Sequence, residues 1–205
     1  MHPLLDLLLS AADGRFPPVD GDCTVLPGLP GGLECSFAFT GHAVVATDLP
    51  AEAVLARGPD GFGGAHAPDF LRWLAGERGW MDALDATLVA RGRGGGSLPE
   101  LPPLDPPRIR HARSLRRNVR VYGDDRGLVT ISDGLAGRLE LSVEAWPSGQ
   151  GQGRGRGLLH DALGLVPAGQ PVFAAVSPGN ARSLRAFLGL GFVPIGSEVV
   201  IRPAR

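Results

Sequence analysis

The chain contains no lysine: all 20 of its basic side chains are arginine. Without an ε-amine there is no internal Schiff-base chemistry, and the phosphate loop that ends in Gly-Lys-Ser/Thr is excluded as well. Cysteine is scarce. Cys23 and Cys35 stand without a CxxC pair or a His-rich partner segment, which argues against a metal-ligand set and against a disulfide framework. No metal is expected. Charge of one sign is not in excess either, since 20 basic and 21 acidic residues leave a formal net charge of -1. The molecule as a whole therefore has no electrostatic bias toward nucleic acid or an anionic membrane. Also missing is any run approaching the ~20 apolar residues of a membrane span. The apolar opening, residues 1 to 12, is interrupted by Asp6 and lacks a basic flank and a small-residue cleavage site. It reads as an amphipathic helix rather than a signal peptide, and a cytoplasmic location is expected.

What remains is the composition of an ordinary folded protein, 43% hydrophobic and 20% charged over 205 residues, enough for one elaborated domain or two small ones. The excess of Ala, Gly, Arg and Pro beside absent lysine has the look of a GC-rich bacterial coding bias. In the first half the reading is a helix over 3 to 12 and a strand through the alternating Cys35, Phe37 and Phe39. A turn at Thr40-Gly41 and a return strand over 42 to 47 follow. Helical spacing at Phe70, Leu71, Trp73 and Leu74, and again at Met81, Leu84, Leu88 and Val89, predicts two helices. Residues 92 to 107 are rich in Gly and Pro, so the domain boundary is placed there, dividing the chain into 1–104 and 105–205. Six arginines between Arg108 and Arg120 are read as a helix with a solvated face paired to nearby acids, in preference to a nucleic-acid patch. Strands at 128 to 132 and 138 to 145, a helix at 157 to 166, a strand at 172 to 176, a helix at 181 to 190 and a strand at 198 to 202 complete the pattern. That rhythm describes a sheet with crossover helices.

The chemistry concentrates in the loop from Ser148 to Gly157, between a strand and a helix whose apolar positions are Leu158, Leu159, Ala162, Leu163 and Val166. Glycines without Cβ let successive N–H groups approach a ligand, and the helix N-terminus adds unpaired donors and a positive dipole end. A pyrophosphate suits such a place, and Arg154 and Arg156 offer charge-assisted hydrogen bonds to it. The dinucleotide fingerprint G-x-G-x-x-G fails, because the glycines alternate at 149, 151, 153, 155 and 157. A flexible Gly-rich surface loop is the plainer alternative.

Gln152-Gly153-Arg154-Gly155-Arg156-Gly157 resembles the Q/R-x-x-G-x-G/A phosphate loop of the GNAT superfamily of acyl-CoA N-acetyltransferases. Asn180-Ala181-Arg182-Ser183, followed by Gly191-Phe192, resembles that family's Asn-x-x-Ser helix and its Gly-Phe end. The resemblance covers about residues 118 to 202. It implies an α/β, GNAT-like mixed fold with a central splayed β-sheet flanked by helices, here carrying an added α+β N-terminal region. It also implies acetyl-CoA, or another acyl-CoA, as co-substrate. The acyl-CoA would lie where the fourth and fifth strands of the domain part, against Leu141, Ser142 and Val143 on the fourth. Gln152, Gly153, Arg154, Gly155, Arg156 and Gly157 would hold the pyrophosphate, and Asn180, Ser183 and Phe187 would lie near the pantetheine and thioester. Asn180 also has a plain reading as a helix N-cap.

Attack by an amine needs a base. Period-2 alternation puts Glu140, Ser142 and Glu144 on one strand face, the two carboxylates about 13 Å apart at ~3.3 Å per residue, so one of them must be chosen. The resemblance ranks Glu140 first and Glu144 second. Many relatives carry a tyrosine four residues after the motif serine to protonate the thiolate, where this chain has Phe187. The acid is then Ser183 or water, or the thiolate leaves unaided. The expected reaction is direct transfer of an acetyl or other acyl group to a primary amine of a small molecule or a protein. A homodimer fits the family, and the N-terminal half is expected to shape the acceptor site, with His42, His66, Asp60, Asp69 and Asp82 as candidates. The alternative is a non-catalytic acyl-CoA sensor or interaction module, with RNA binding through the arginine segment as a third reading.

Overall fold

The computed structural model describes residues 1–102, 105–146 and 153–205. They form two compact units, Met1–Thr87 with Ile195–Arg205, and Leu88–Pro194. Contacts thus group the chain differently from the functional halves read in the sequence, with the C-terminal strand belonging to the first unit.

The first unit opens with α1 (Pro3–Ala12), whose Leu4, Leu8 and Ala11 are buried at helical spacing and whose Leu4 N–H is capped by His2 Nδ1. β1 (Cys23–Leu26) runs parallel to β3 (His42–Ala46), which forms an antiparallel hairpin with β2 (Glu34–Phe39). The hairpin is the one expected from alternation, and Gly41 turns it at φ +70°. The short α2 (Ala51–Leu55) and α3 (Pro68–Ala75) then cover a core of Val45, Val54, Phe70, Leu74, Val199 and Ile201. Strand order here is β1-β3-β2-β10, with β4 (Trp80–Met81) also on β10 (Val193–Arg202). The second expected helix, over 81 to 89, is absent. Its residues form β4 and β5 (Asp85–Arg91), where Thr87, Leu88, Val89 and Ala90 are buried in succession. Consecutive burial with β-branched Thr87 and Val89 marks a strand covered on both faces. An apolar run of that length does not distinguish strand from helix by spacing alone.

The second unit orders its strands β5-β9-β8-β7-β6, using β6 (Arg117–Asp124), β7 (Gly127–Asp133), β8 (Leu139–Ala145) and β9 (Pro171–Val176). β6, β7 and β8 form an antiparallel meander, while β8 and β9 are parallel and joined through α5 (Arg154–Leu165). α5 buries Leu158, Leu159, Ala162 and Leu163. α4 (Pro107–Leu115) buries Ile109 against Val121 and Leu128, and α6 (Ala181–Leu188) follows β9. The α/β class, the mixed sheet flanked by helices and the added α+β N-terminal region are as the sequence leads one to expect. Among the described residues no helix is long and apolar enough to cross a membrane.

Candidate functional site

β8 and β9 share one registered pair, Glu140↔Phe173. From there the two parallel strands part toward their C-terminal ends, so Leu141, Ser142, Val143 and Glu144 keep partners on β7 alone. Backbone groups on the β9 side of β8 are left for another partner. Open α/β sheets bind ligands at this kind of place, the carboxyl ends of parallel strands that diverge. Both helices that follow these strands, α5 and α6, begin at that end.

The first turn of α5 starts at Arg154, three residues earlier than expected, on Gly153 in the left-handed conformation (φ +74°). Gly157 N–H is the first to find an intrahelical acceptor, Gly153 O. Among the described residues the N–H groups of Arg154, Gly155 and Arg156 therefore have no helical partner. A Cβ on Gly155 would meet the Ala145 side chain at 3.4 Å, an ordinary contact, so Gly155 is spared no clash within the fold. Arg154 Nη1 stands 3.7 Å from the exposed Asp125. Arg156 instead donates to Gly189 O at 2.8 Å and ties α5 to the end of α6. Gln152 lies outside the described residues.

Asn180 caps α6, accepting the Ser183 N–H through Oδ1 at 3.1 Å. Ser183 is half-buried in that first turn, whereas Phe187 is buried and packs edge-on against Phe192, ring centroids 4.8 Å apart. Those three positions share one helix, and Phe187 belongs to its packed face.

The two candidate bases have different surroundings. Glu140 is 3% exposed. Its Oε1 lies 2.6 Å from Arg116 Nη2, and its Oε2 accepts from Arg138 Nε and Nη2 at 3.1 and 2.9 Å. Burial pushes its carboxyl up, but the Arg116 and Arg138 guanidiniums outweigh this and hold it below the ordinary range. A carboxylate so held is a weak proton acceptor. Glu144, on the same face, has a half-exposed side chain, but its Oε2 is buried without a hydrogen bond, and Arg108 Nε stands 3.6 Å from it. Ser142, between them, pairs its hydroxyl with Thr130 Oγ1 at 2.6 Å. Arg108 in the first turn of α4 meets Glu144, and Arg116 just past its end meets Glu140. The eight-residue helical rise of about 12 Å matches the four-residue strand span of about 13 Å.

Sequence reasoning missed Arg116 and Arg138. The Arg138-x-Glu140 spacing, which places both on one strand face, was the available signal for the second. Of the arginine segment, Arg108, Arg110, Arg113, Arg116 and Arg120 each stand beside an acid: Glu144, Asp105, Asp105 again, Glu140 and Glu100. A cavity of about 380 Å³ lies elsewhere in the second unit, against Gly95, Ser97, Arg126, His160, Asp161 and Gly164. It contains none of the residues singled out from the sequence.

No family model matches the chain, and no curated protein matches it. Several solved structures do. One is a functionally unknown conserved protein from Staphylococcus epidermidis, at 14% identity over 66% of this chain and 66% of that one, TM-score 0.42. A second, from Novosphingobium aromaticivorans, is described as an acetyltransferase from the GNAT family, at 16% identity over 62% of this chain and 68% of that one, TM-score 0.42. A third is a GCN5-related N-acetyltransferase from Kribbella flavida, at 14% identity over 65% of this chain and 62% of that one, TM-score 0.37. The match thus spans just under two thirds of the first and third of these proteins. Likeness at this level carries no argument about activity, which rests on the chain's own residues. Among the described residues no group of His, Cys, Asp and Glu is placed to hold a metal ion.

Proposed function

We propose that residues 105–205 bind acyl-CoA between β8 and β9 and that the protein transfers the acyl group to a primary amine. The observation that carries this reading is the single registered pair, Glu140↔Phe173, beyond which the strands open. The motif-bearing first turns of α5 and α6 stand at the open end. Backbone groups of Leu141, Ser142 and Val143 would pair with the pantetheine arm. The N–H groups of Arg154, Gly155 and Arg156 and the Arg154 side chain would meet the pyrophosphate. Glu144, rather than Glu140, takes the amine proton, since its side chain is 40% exposed, while that of Glu140 is 3% exposed with both oxygens held by arginines. The amine nitrogen attacks the thioester carbonyl, its proton passes to Glu144 directly or through water, and the CoA thiolate leaves. Glu140 ties the end of α4 to β8 through Arg116 and is a positioning residue. Release of free CoA thiol from acetyl-CoA, measured across a panel of primary amines, tests the reading. Amine-dependent release is expected, and its absence for every amine, in the face of tight acyl-CoA binding, counts against transfer. That outcome would favour a non-catalytic acyl-CoA-binding module, the reading supported by Phe187 at the position where many relatives carry the proton-donating tyrosine.

A further inference from the structure

The first unit holds a separate arrangement of reactive groups on β1 and β3. Thr24 is registered with Val44, so Thr24 projects from the same face as His42, two residues before Val44. Thr24 Oγ1 is 3.0 Å from His42 Nε2, and His42 Nδ1 is 2.8 Å from Asp20 Oδ1. The hydrogen bond from His42, with a second from the Asp22 N–H, holds the Asp20 carboxyl below its ordinary range. At neutral pH Asp20 is therefore an acceptor only. It accepts the Nδ1–H of His42, and in that tautomer the Nε2 lone pair accepts the Thr24 O–H. The order is hydroxyl, base, and the group that fixes the base's tautomer, the arrangement that activates a weak nucleophile.

The surroundings agree with this order. β1 ends the strand order, so its outer edge is unpaired. Ala43 N–H donates to Asp22 O and Thr47 N–H to Leu26 O. By that alternation residues 22, 24 and 26 turn their backbone groups to β3, and the N–H groups of Cys23 and Val25 face the free edge on either side of Thr24. At ~3.3 Å per residue they lie about 6.6 Å apart, so one of them, not both, would meet a developing oxyanion. Apolar surface adjoins the trio. Phe16 and Val19 are 48% and 68% exposed. Phe16 meets Phe39, the registered partner of His42, at 6.5 Å, and Val19 lies over Gly41, where a Cβ would stand 2.4 Å from its Cγ1.

We infer that Thr24, His42 and Asp20 form a hydrolytic site for small apolar carboxylic esters, working through an acyl-threonine intermediate. Thr24 Oγ attacks the ester carbonyl as its proton moves to His42 Nε2. The carbonyl–oxygen bond to the alcohol breaks, and the alcohol leaves with that proton. Water then attacks the acyl-threonine, giving a proton to His42, which returns it to Thr24 as the carboxylic acid departs. Ester and water become acid and alcohol, and no other reactant is needed. Asp20 touches no substrate and acts as a positioning residue. The site is independent of the acyl-CoA reading, since every group in it belongs to the first unit.

Hydrolysis of p-nitrophenyl acetate by the full chain tests the inference. Thr24→Val, which keeps shape and loses the hydroxyl, should lower the rate by about 100-fold or more, and Thr24→Ser should retain it. Asp20→Asn should depress the rate without removing the acyl-enzyme and should shift its pH profile, which a merely structural role would not do. Because Thr24→Val also removes a link between β1 and β3, wild-type protein quenched during turnover supplies an independent readout: peptide mass analysis should find the acetyl group on Thr24. Absence of hydrolysis by the wild type, a folded Thr24→Val as fast as wild type, or an acetyl group found only at Cys23 or another residue would each overturn the assignment.

Discussion

Replacing Glu140 by Gln removes the one negative charge between two guanidiniums. The Arg138 side chain is fully buried, that of Arg116 is 13% exposed, and Glu140 itself is 3% exposed. Water cannot readily take over the lost interactions. Breaking a buried pair by deleting one partner costs about 3 to 5 kcal/mol, because the remaining charge stays desolvated. At ~2 to 4 °C per kcal/mol for a chain of this size, the midpoint of thermal unfolding should fall by roughly 6 to 20 °C. Urea unfolding at neutral pH, followed by circular dichroism, measures the difference directly. The pH dependence adds a second check. Glu140 in the folded protein lies below its ordinary value of 4.5, so its contribution is complete above that value and is lost as the pH falls through the folded one. The gap between wild type and Glu140→Gln should therefore be full at neutral pH and close in acid. A loss of less than about 1 kcal/mol at neutral pH, the scale of an exposed pair, would refute the argument that this cluster is a buried clamp.

Gly134→Ala should act on the same cluster, since a Cβ there would stand 2.0 Å from Glu140 Oε2; its cost in unfolding experiments should shrink in a Glu140→Ala background, where the obstructing side chain is gone. Glu144→Gln should lower turnover by about 100-fold at saturating acetyl-CoA while leaving the affinity for acetyl-CoA unchanged, and an undiminished rate would remove Glu144 as base. Gly155→Ala should fold and bind as wild type, because the added methyl meets Ala145 at an ordinary 3.4 Å. Gly155→Trp should fold and fail to bind, and equal affinities for the two variants would place the pyrophosphate elsewhere.

Much of this architecture was legible because it is local. Alternation of Cys35, Phe37 and Phe39 revealed the hairpin. The same period in β8 put Glu140, Ser142 and Glu144 on one face, where they are found beside Ser132, Thr130 and Leu128 of β7. Helical spacing found α1, α3, α5 and α6. Residues 85 to 91 were misread because a strand buried on both faces has no period to detect. The partners of Glu140 were invisible for a different reason. Arg116 comes to it from the end of α4, across a whole meander, and only the folded chain brings the two within 2.6 Å. Thr24, His42 and Asp20 are likewise joined by a parallel pairing of β1 with β3 that no short motif announces. Asn180 showed its capping role through residue type and position, and the structure places its Oδ1 on the Ser183 N–H.

Calorimetric titration of the purified protein with acetyl-CoA and with coenzyme A tests the account most directly. Micromolar, one-to-one binding of both is predicted, abolished by Gly155→Trp and untouched by Glu144→Gln. Failure of either ligand to bind the folded wild-type protein would contradict the assignment of an acyl-CoA site to the opening between β8 and β9.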